Sequence, residues 1–354
     1  MSAARQHLAA IAAAPRPAGS PAEATTREYC AAILRSAGLD VRHRAFEYST
    51  FPGRWGTPLA GALAALLFLA AGHLGAHGRP RDALVLLLTV GAMIGAGGWW
   101  LGRWGVLDLP IGRVRGNNLT ATRGRPTLWL VAHLDSKSQP IPIGVRAIAI
   151  MALIAIWIAA VALSLAQILV RTPSWAWIAI TVAGVIAALP VASSFVGARS
   201  AGALDNASGA ATVLHVLELL PRDVEIGVLL TSAEELGLAG ARAWAREAQP
   251  AMAINFDGID DAGELRLIYS GRVPRRLLER LGAGWPSPTR LVPGVLMDGV
   301  ALSDAGWEVL NVSKGSWRTV SRIHTPRDDL AHLEGTGVLD VAAMLADAIA
   351  PSRR

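Results

Sequence analysis

The chain has 354 residues, 52% hydrophobic and only 17% charged, with a formal net charge of +6, which is too apolar for an ordinary soluble protein of this length. The positive charge is almost all arginine, Lys137 and Lys314 being the only lysines, and no basic run carries interleaved aromatics, so nucleic-acid binding is not expected. A single cysteine, Cys30, excludes an internal disulfide.

In chain order, residues 1–20 are rich in Ala and Pro and predict a short helix ahead of the Pro15–Pro21 stretch. From Ala22 to Gly38, Tyr29, Ala32, Ile33 and Leu34 recur at helical spacing, with Gly38 as the C-cap. Cys30 lies in that amphipathic pattern and reads as core rather than as a nucleophile. Val41 to Tyr48 alternates and predicts a strand. Uncharged apolar runs then cover 55–78, 83–102, 147–170 and 172–198. About 20 such residues, at ~1.5 Å each, cross a hydrocarbon core of ~30 Å. The expectation is four transmembrane helices in two hairpins, 55–102 and 143–198, turning at Gly78–Asp82 and Arg171–Ser174. The first apolar run follows Arg, Glu and Asp residues, so no secretory signal is read.

The soluble pieces are expected to form an α/β domain. Asn117–Ala121 and Thr127–Ala132 read as strands, the second delivering His133-Leu134-Asp135-Ser136. Beyond Arg199 the pattern predicts a helix over 207–220, a strand over 225–231, a helix over 238–247 and strands over 251–257 and 265–270. A helix over 274–281, a strand near 309–312 and a helix over 337–349 complete it. Such alternation argues for a mostly parallel sheet. Segments 1–54, 103–142 and 199–354, roughly 250 residues together, suit one domain interrupted by the two hairpins. Arg54, Arg103, Arg113, Arg115, Lys137, Arg146 and Arg199 flank the spans on the domain side, against Arg79, Arg81 and Arg171 on the other. The excess predicts an inner-membrane protein with a cytoplasmic domain.

Metal-competent residues follow the predicted strands in succession: His133 and Asp135, Asp205, Glu234 and Glu235, Asp257, and His324. In open α/β sheets, sites form beyond the carboxyl ends of strands. Two histidines with several carboxylates suit zinc. A Glu-Glu pair is ordinarily a solvated helix face, but here it closes an apolar strand, where unpaired charge is costly. His324 alone would read as structural, and Asp257 could cap a helix. His73 and His77, near the end of a predicted span, read as interfacial, and His215 and His332 are given no role.

The order His-x-Asp, Asp-Asn-x-x-Gly, Glu-Glu, Asp and His-Thr-Pro-x-Asp resembles the co-catalytic di-zinc aminopeptidases of the bacterial leucyl aminopeptidase type, whose wider family includes glutaminyl cyclases. Arg16-Pro-Ala-Gly-Ser20 fits the same family, and the likeness spans the soluble segments but not the membrane runs. It implies a three-layer zinc-exopeptidase fold and two zinc ions per chain. His133, Asp257 and bridging Asp205 would hold one ion, and Glu235, His324 and Asp205 the other. Glu234 would be the general base, and Asp135 would orient His133. Two ions about 3.5–4 Å apart activate a water and polarise the scissile carbonyl of a peptide substrate. Ser303-Asp304 resembles a family segment whose Asp is often followed by His, although Ala305 follows here. A tyrosine or other donor often precedes the family's last histidine, whereas Ser321-Arg322-Ile323 stands here; oxyanion stabilisation is left unassigned, with Arg322 one candidate. The alternatives are a glutaminyl-cyclase-like acyltransferase and a non-catalytic membrane scaffold. Asp205-Asn206 favours the peptidase, because the cyclases lack that pair. The second hairpin lies about eight residues from His133/Asp135 and from Asp205. Eight extended residues reach at most ~26–29 Å, so the site is expected near the membrane, with hydrophobic or membrane-derived peptides as substrates.

Overall fold

Continuous apolar runs become the middle of an eight-stranded sheet. A computed structural model describes residues 2–170, 173–292 and 294–350. The strands are β1 (Asp40–Ser49), β2 (Arg113–Arg123), β3 (Leu128–His133), β4 (Ile226–Thr231), β5 (Met252–Ile259), β6 (Glu264–Tyr269), β7 (Thr289–Arg290) and β8 (Glu308–Gly315). Their order across the sheet is β1-β2-β4-β3-β5-β8-β6-β7. The central β4, β3, β5 and β8 are mutually parallel. β2 runs antiparallel to β4, and β6 antiparallel to β8.

Every residue of β3 and β4 is buried, the pattern of central strands covered on both faces. Leu128, Leu130 and Ala132 point to one face, where they pack with Leu8, Val213, Phe256 and Leu345. These partners come from β5 and from helices Ala3–Ile11, Ser208–Leu219 and Thr336–Ile349. Trp129 and Val131 point to the other face, against Leu229, Leu302 and Trp307, with Trp244 alongside. Helices Ala239–Glu247 and Asp298–Asp304 supply Trp244 and Leu302. The result is a mixed α/β fold with helices on both faces of a mostly parallel sheet.

The expected elements are found with small shifts of boundary. Ser20 caps helix Pro21–Ser36 through the Glu23 amide, Pro21 fits its first position, and Gly38 ends it at φ 82°. The strand expected over 251–257 runs on to Ile259, because a bulge between Phe256 and Ile259 resets its pairing with β8. Asp257 therefore sits inside the strand rather than at its end. β7 and the short helices Asp298–Asp304 and Trp317–Arg322 are additional to the sequence expectation.

The chain divides into two units. One comprises Met1–Tyr48, Gly112–Ser138 and Ala198–Arg354 and contains the sheet core; the other comprises Ser49–Ile111 and Gln139–Gly197. The second unit contains the four helices long and apolar enough to cross a membrane: Phe51–Ala76, Pro80–Asp108, Ile143–Leu169 and Ser174–Ala192. The turn expected at Arg171–Ser174 lies partly outside the described residues. Inside this unit Trp177, Phe68, Leu87 and Ala160 form a small core. Gln167 bridges two helices, accepting from Trp177 Nε1 at 2.7 Å and donating to the Gly75 carbonyl at 3.0 Å. Outward-facing Leu66, Val85, Met93, Ile148 and Ile186 are exposed, the reverse of a water-soluble bundle and suited to lipid.

A polar cluster around buried His7 ties three helices together. His7 Nδ1 lies 2.7 Å from the Tyr29 hydroxyl and Nε2 lies 3.0 Å from Glu218, whose other oxygen is 2.8 Å from His215. Burial lowers the His7 pKa, partly offset by Glu218. The unfolded chain then takes up a proton more readily than the fold, so this contribution to stability is complete above about pH 6.5 and is lost as pH falls through the folded value. Thermal unfolding between pH 7.5 and 5 should therefore show a shallower acid-side decline for His7→Gln than for the wild-type protein. Equal slopes would show that His7 does not contribute.

Candidate metal centre

The carboxyl ends of β3 and β4 and the bulged part of β5 each deliver acidic or imidazole groups toward one place. His133 ends β3 and Glu234 and Glu235 follow β4, with Asp257 contributed by β5. The turn Ala203–Ala207 ahead of helix Ser208–Leu219 supplies Asp205. His324 follows helix Trp317–Arg322.

Asp205 stands between the two histidines. Its Oδ1 is 3.1 Å from His133 Nε2 and its Oδ2 is 3.0 Å from His324 Nε2. His133 Nε2 also lies 3.9 Å from Asp257 Oδ1 and 4.0 Å from Glu234 Oε2. His324 Nε2 lies 3.2 Å from Glu235 Oε1. Among the described residues, His133 Nε2, Glu235 Oε1 and His324 Nδ1 nevertheless have no hydrogen-bond partner of acceptable geometry. His133 Nε2 and Glu235 Oε1 are thus close to neighbouring polar atoms without being hydrogen-bonded to them. Two groups could each hold an ion: His133, Glu234 and Asp257, and Asp205, Glu235 and His324. Imidazole nitrogen and carboxylate oxygen are zinc donors, so the residues present fit such a group.

Electrostatics point the same way. Glu234 is pushed well above the usual carboxylate range by burial and by Glu235, Asp257 and Asp298, against the pull of His133. Asp205 is held well below it: burial acts upward, but His133 and His324 outweigh it. Burial acts against a charged His133, yet the surrounding carboxylates raise its pKa well above normal. This is a buried excess of negative charge for which cations are the natural complement.

The surrounding chain fixes these groups from several directions. The Asp135 carboxylate accepts from the Glu234 and Glu235 amides at 3.1 and 3.2 Å. Its main-chain oxygen is 3.0 Å from His133 Nδ1, nearer than its carboxylate at 3.7 Å. Asp135 thus touches His133 through its backbone and serves the acidic pair with its side chain. Ala233 and His324 adopt φ near +60°, a region L-residues rarely visit, at a cost of about 1–3 kcal/mol each. Asp328, four residues after His324, accepts from the Leu204 and Asp205 amides at 2.6 and 3.2 Å. Asn206 donates to the Phe256 carbonyl at 2.7 Å and accepts from the Gly209 amide at 3.0 Å. Gly209 has to be glycine here, since a Cβ would lie 2.5 Å from the Phe256 carbonyl oxygen.

Arg16, at 1% exposure, closes the arrangement. It donates to the Leu134 carbonyl at 2.8 Å, to the Gly202 carbonyl at 3.1 Å and also to the Ala201 carbonyl. It therefore joins the segment after β3 to the segment before Asp205.

Several positions differ from the sequence expectation. Asp304 pairs with Arg242 at 3.8 Å. The acidic group that approaches the centre from that region is Asp298, fully buried, bonded to Thr231 Oγ1 and pushed up to about 7 by burial. It escaped the sequence reading because a helix first-turn Asp looks like an ordinary cap. Arg322 donates to Asp260 and to the His332 carbonyl. Lys137, also missed, lies 2.6 Å from Glu235 Oε2.

Comparison with known proteins gives a family and a fold. The family model described as Peptidase family M28 matches residues 113–349. Among solved structures, an aminopeptidase from Aneurinibacillus sp. strain AM-1 superposes with a TM-score of 0.56 at 15% identity, covering 98% of this chain and 92% of its own. BSAP, a zinc aminopeptidase from Bacillus subtilis, gives 0.54 at 16% identity, covering 98% and 93%. A glutaminyl cyclase from Fimbriiglobus ruber gives 0.53 at 16% identity, covering 98% and 93%. At such identities these likenesses establish the fold. No curated protein sequence matches the chain.

Replacing Arg16 by Met should leave the carbonyls of Leu134 and Ala201 without this donor, at about 1–3 kcal/mol for each one left unsatisfied, while the Gly202 carbonyl keeps the Ala207 amide at 2.9 Å. Chemical denaturation should show a loss of about 2 kcal/mol or more. A loss below about 1 kcal/mol would mean that the two segments hold their places without it.

Proposed function

The chain belongs to peptidase family M28, and from that premise we propose that it is a membrane-anchored zinc aminopeptidase that hydrolyses N-terminal peptide bonds. The supporting observation is Asp205, whose two oxygens lie 3.1 and 3.0 Å from two different histidines. A carboxylate so placed is suited to bridging two ions. In this reading His133, Asp257 and Asp205 hold one zinc, and Glu235, His324 and Asp205 hold a second. Bound zinc supplies Lewis-acid polarisation of the scissile carbonyl and makes the attacking water more acidic.

The protein's own groups do the rest. Glu234 accepts the water's proton on its carboxylate and returns it to the leaving amine. Asp135 keeps Glu234 and Glu235 in place through their amides and sets the His133 ring through its main-chain oxygen. Asp328 holds the Asp205 turn by two amides. The four apolar helices anchor the protein in the bilayer, and the arginine excess at one end of them places the segments bearing the centre in the cytoplasm of an inner membrane.

A second reading, a glutaminyl-cyclase-like acyltransferase, is supported by the likeness to the Fimbriiglobus enzyme at the same 16% identity as BSAP. Substrate chemistry separates the two. The purified protein should release the first residue from aminoacyl p-nitroanilides and short peptides and should not convert N-terminal glutamine to pyroglutamate. Pyroglutamate formation without hydrolysis would replace the peptidase reading with the cyclase one.

The role of Glu234 has its own test. Glu234→Gln should lower turnover by about 10²–10⁴-fold while elemental analysis shows unchanged zinc. Turnover near the wild-type rate would remove Glu234 from the proton transfer.

A further inference from the structure

Lys137 is one of two lysines in a chain whose other basic side chains are all arginine. It is mostly buried, at 17% side-chain exposure, and its ammonium lies 2.6 Å from Glu235 Oε2. The other oxygen of the same carboxylate, Oε1, lies 3.2 Å from His324 Nε2 and has no hydrogen-bond partner among the described residues. The two oxygens of Glu235 therefore face different neighbours.

The backbone on either side of Lys137 is fixed. The Ser136 amide donates to the Arg16 carbonyl at 2.9 Å, and the Ser136 hydroxyl donates to the Ser200 carbonyl at 3.0 Å. The Ser138 hydroxyl accepts from the Arg199 amide at 2.9 Å. Ser136 and Ser138 are each 2% exposed. Lys137 is thus anchored at both flanks, and its stem reaches toward one oxygen.

We propose that Lys137 is a positioning residue that makes Glu235 a one-oxygen metal ligand, holding Oε2 so that Oε1 alone is presented beside Asp205 and His324. The choice of lysine has a physical reason. A guanidinium forks across both oxygens of a carboxylate, whereas an ammonium is a point donor that can hold one and leave the other free. With Oε2 held, Glu235 cannot close a four-membered chelate, and the coordination number at that ion stays low. The inference rests on the zinc reading given above and adds the geometry of one ligand to it.

Cobalt(II) substitution reads this directly, because its visible absorption is strong in four-coordinate sites and weakens as coordination number rises. The full-length protein in detergent is loaded with cobalt, and metal content is measured alongside the spectrum. For Lys137→Met, which frees both oxygens, we expect unchanged stoichiometry and a clear loss of visible intensity. For Lys137→Arg, whose fork engages both oxygens, we expect the stoichiometry to fall from two ions toward one. A merely structural lysine would move neither quantity, and wild-type spectra with two ions in both variants overturn the proposal. Should Lys137→Met fail to fold, the stoichiometry of Lys137→Arg decides. If the wild-type protein itself takes up no cobalt, the metal reading fails first, a result distinct from failure of the Lys137 assignment.

Discussion

A carboxylate held within about 3 Å of two imidazoles, inside a protein, constrains everything around it. Asp205 is 8% exposed, and burying its charge is unfavourable unless neighbours compensate. The histidines do so on both sides, and the turn that carries Asp205 is fixed by groups distant in sequence. Asp328 takes its amides, Asn206 stitches it to β5, and Arg16 holds its approach through Ala201 and Gly202. Remove the sheet, and none of these segments has a reason to meet. The parallel order β4-β3-β5-β8 places the ends of three neighbouring strands together, so His133, the acidic pair and Asp257 arrive from one edge.

The division of labour among the carboxylates follows from what each oxygen touches. Asp135 spends both oxygens on amides, and Asp328 does the same; they stabilise backbone and are not available as ligands. Asp205, Glu235 and Asp257 turn oxygens toward imidazoles. Glu234 Oε2 lies 4.0 Å from His133 Nε2, in the same group as Asp257. Asp298, buried and bonded to Thr231, adds a further acid to the cluster from helix Asp298–Asp304. The same residue type thus meets backbone amides in some places and imidazoles in others, according to its position.

Much of this is legible in the sequence. Periodicity locates the helix Pro21–Ser36, the central strands and the four apolar helices, because each is decided by local pattern and length. The motif order identifies His133, Asp205, Glu234, Glu235, Asp257 and His324, and the structure brings all of them together. What is not legible depends on contacts between distant segments. Arg16 belongs to a recognisable motif, but its task is not visible until three carbonyls are seen to converge on it. The Asp135 carboxylate could have faced His133 until the amides after β4 are seen to claim it. Asp298 and Asp304 lie on one short helix, and the turn of that helix decides which of them faces Thr231. Lys137 and Glu235 are nearly a hundred residues apart, and no local rule predicts their pairing.

The central claim is that Asp205 is shared by two ions. The most direct measurement is elemental analysis of zinc in the purified protein and in Asp205→Asn, normalised to protein. The account predicts close to two zinc ions per chain in the first and loss of both in the second, since each group depends on the same carboxylate. Wild-type protein with no bound zinc, or an Asp205→Asn variant that retains both ions, would contradict it.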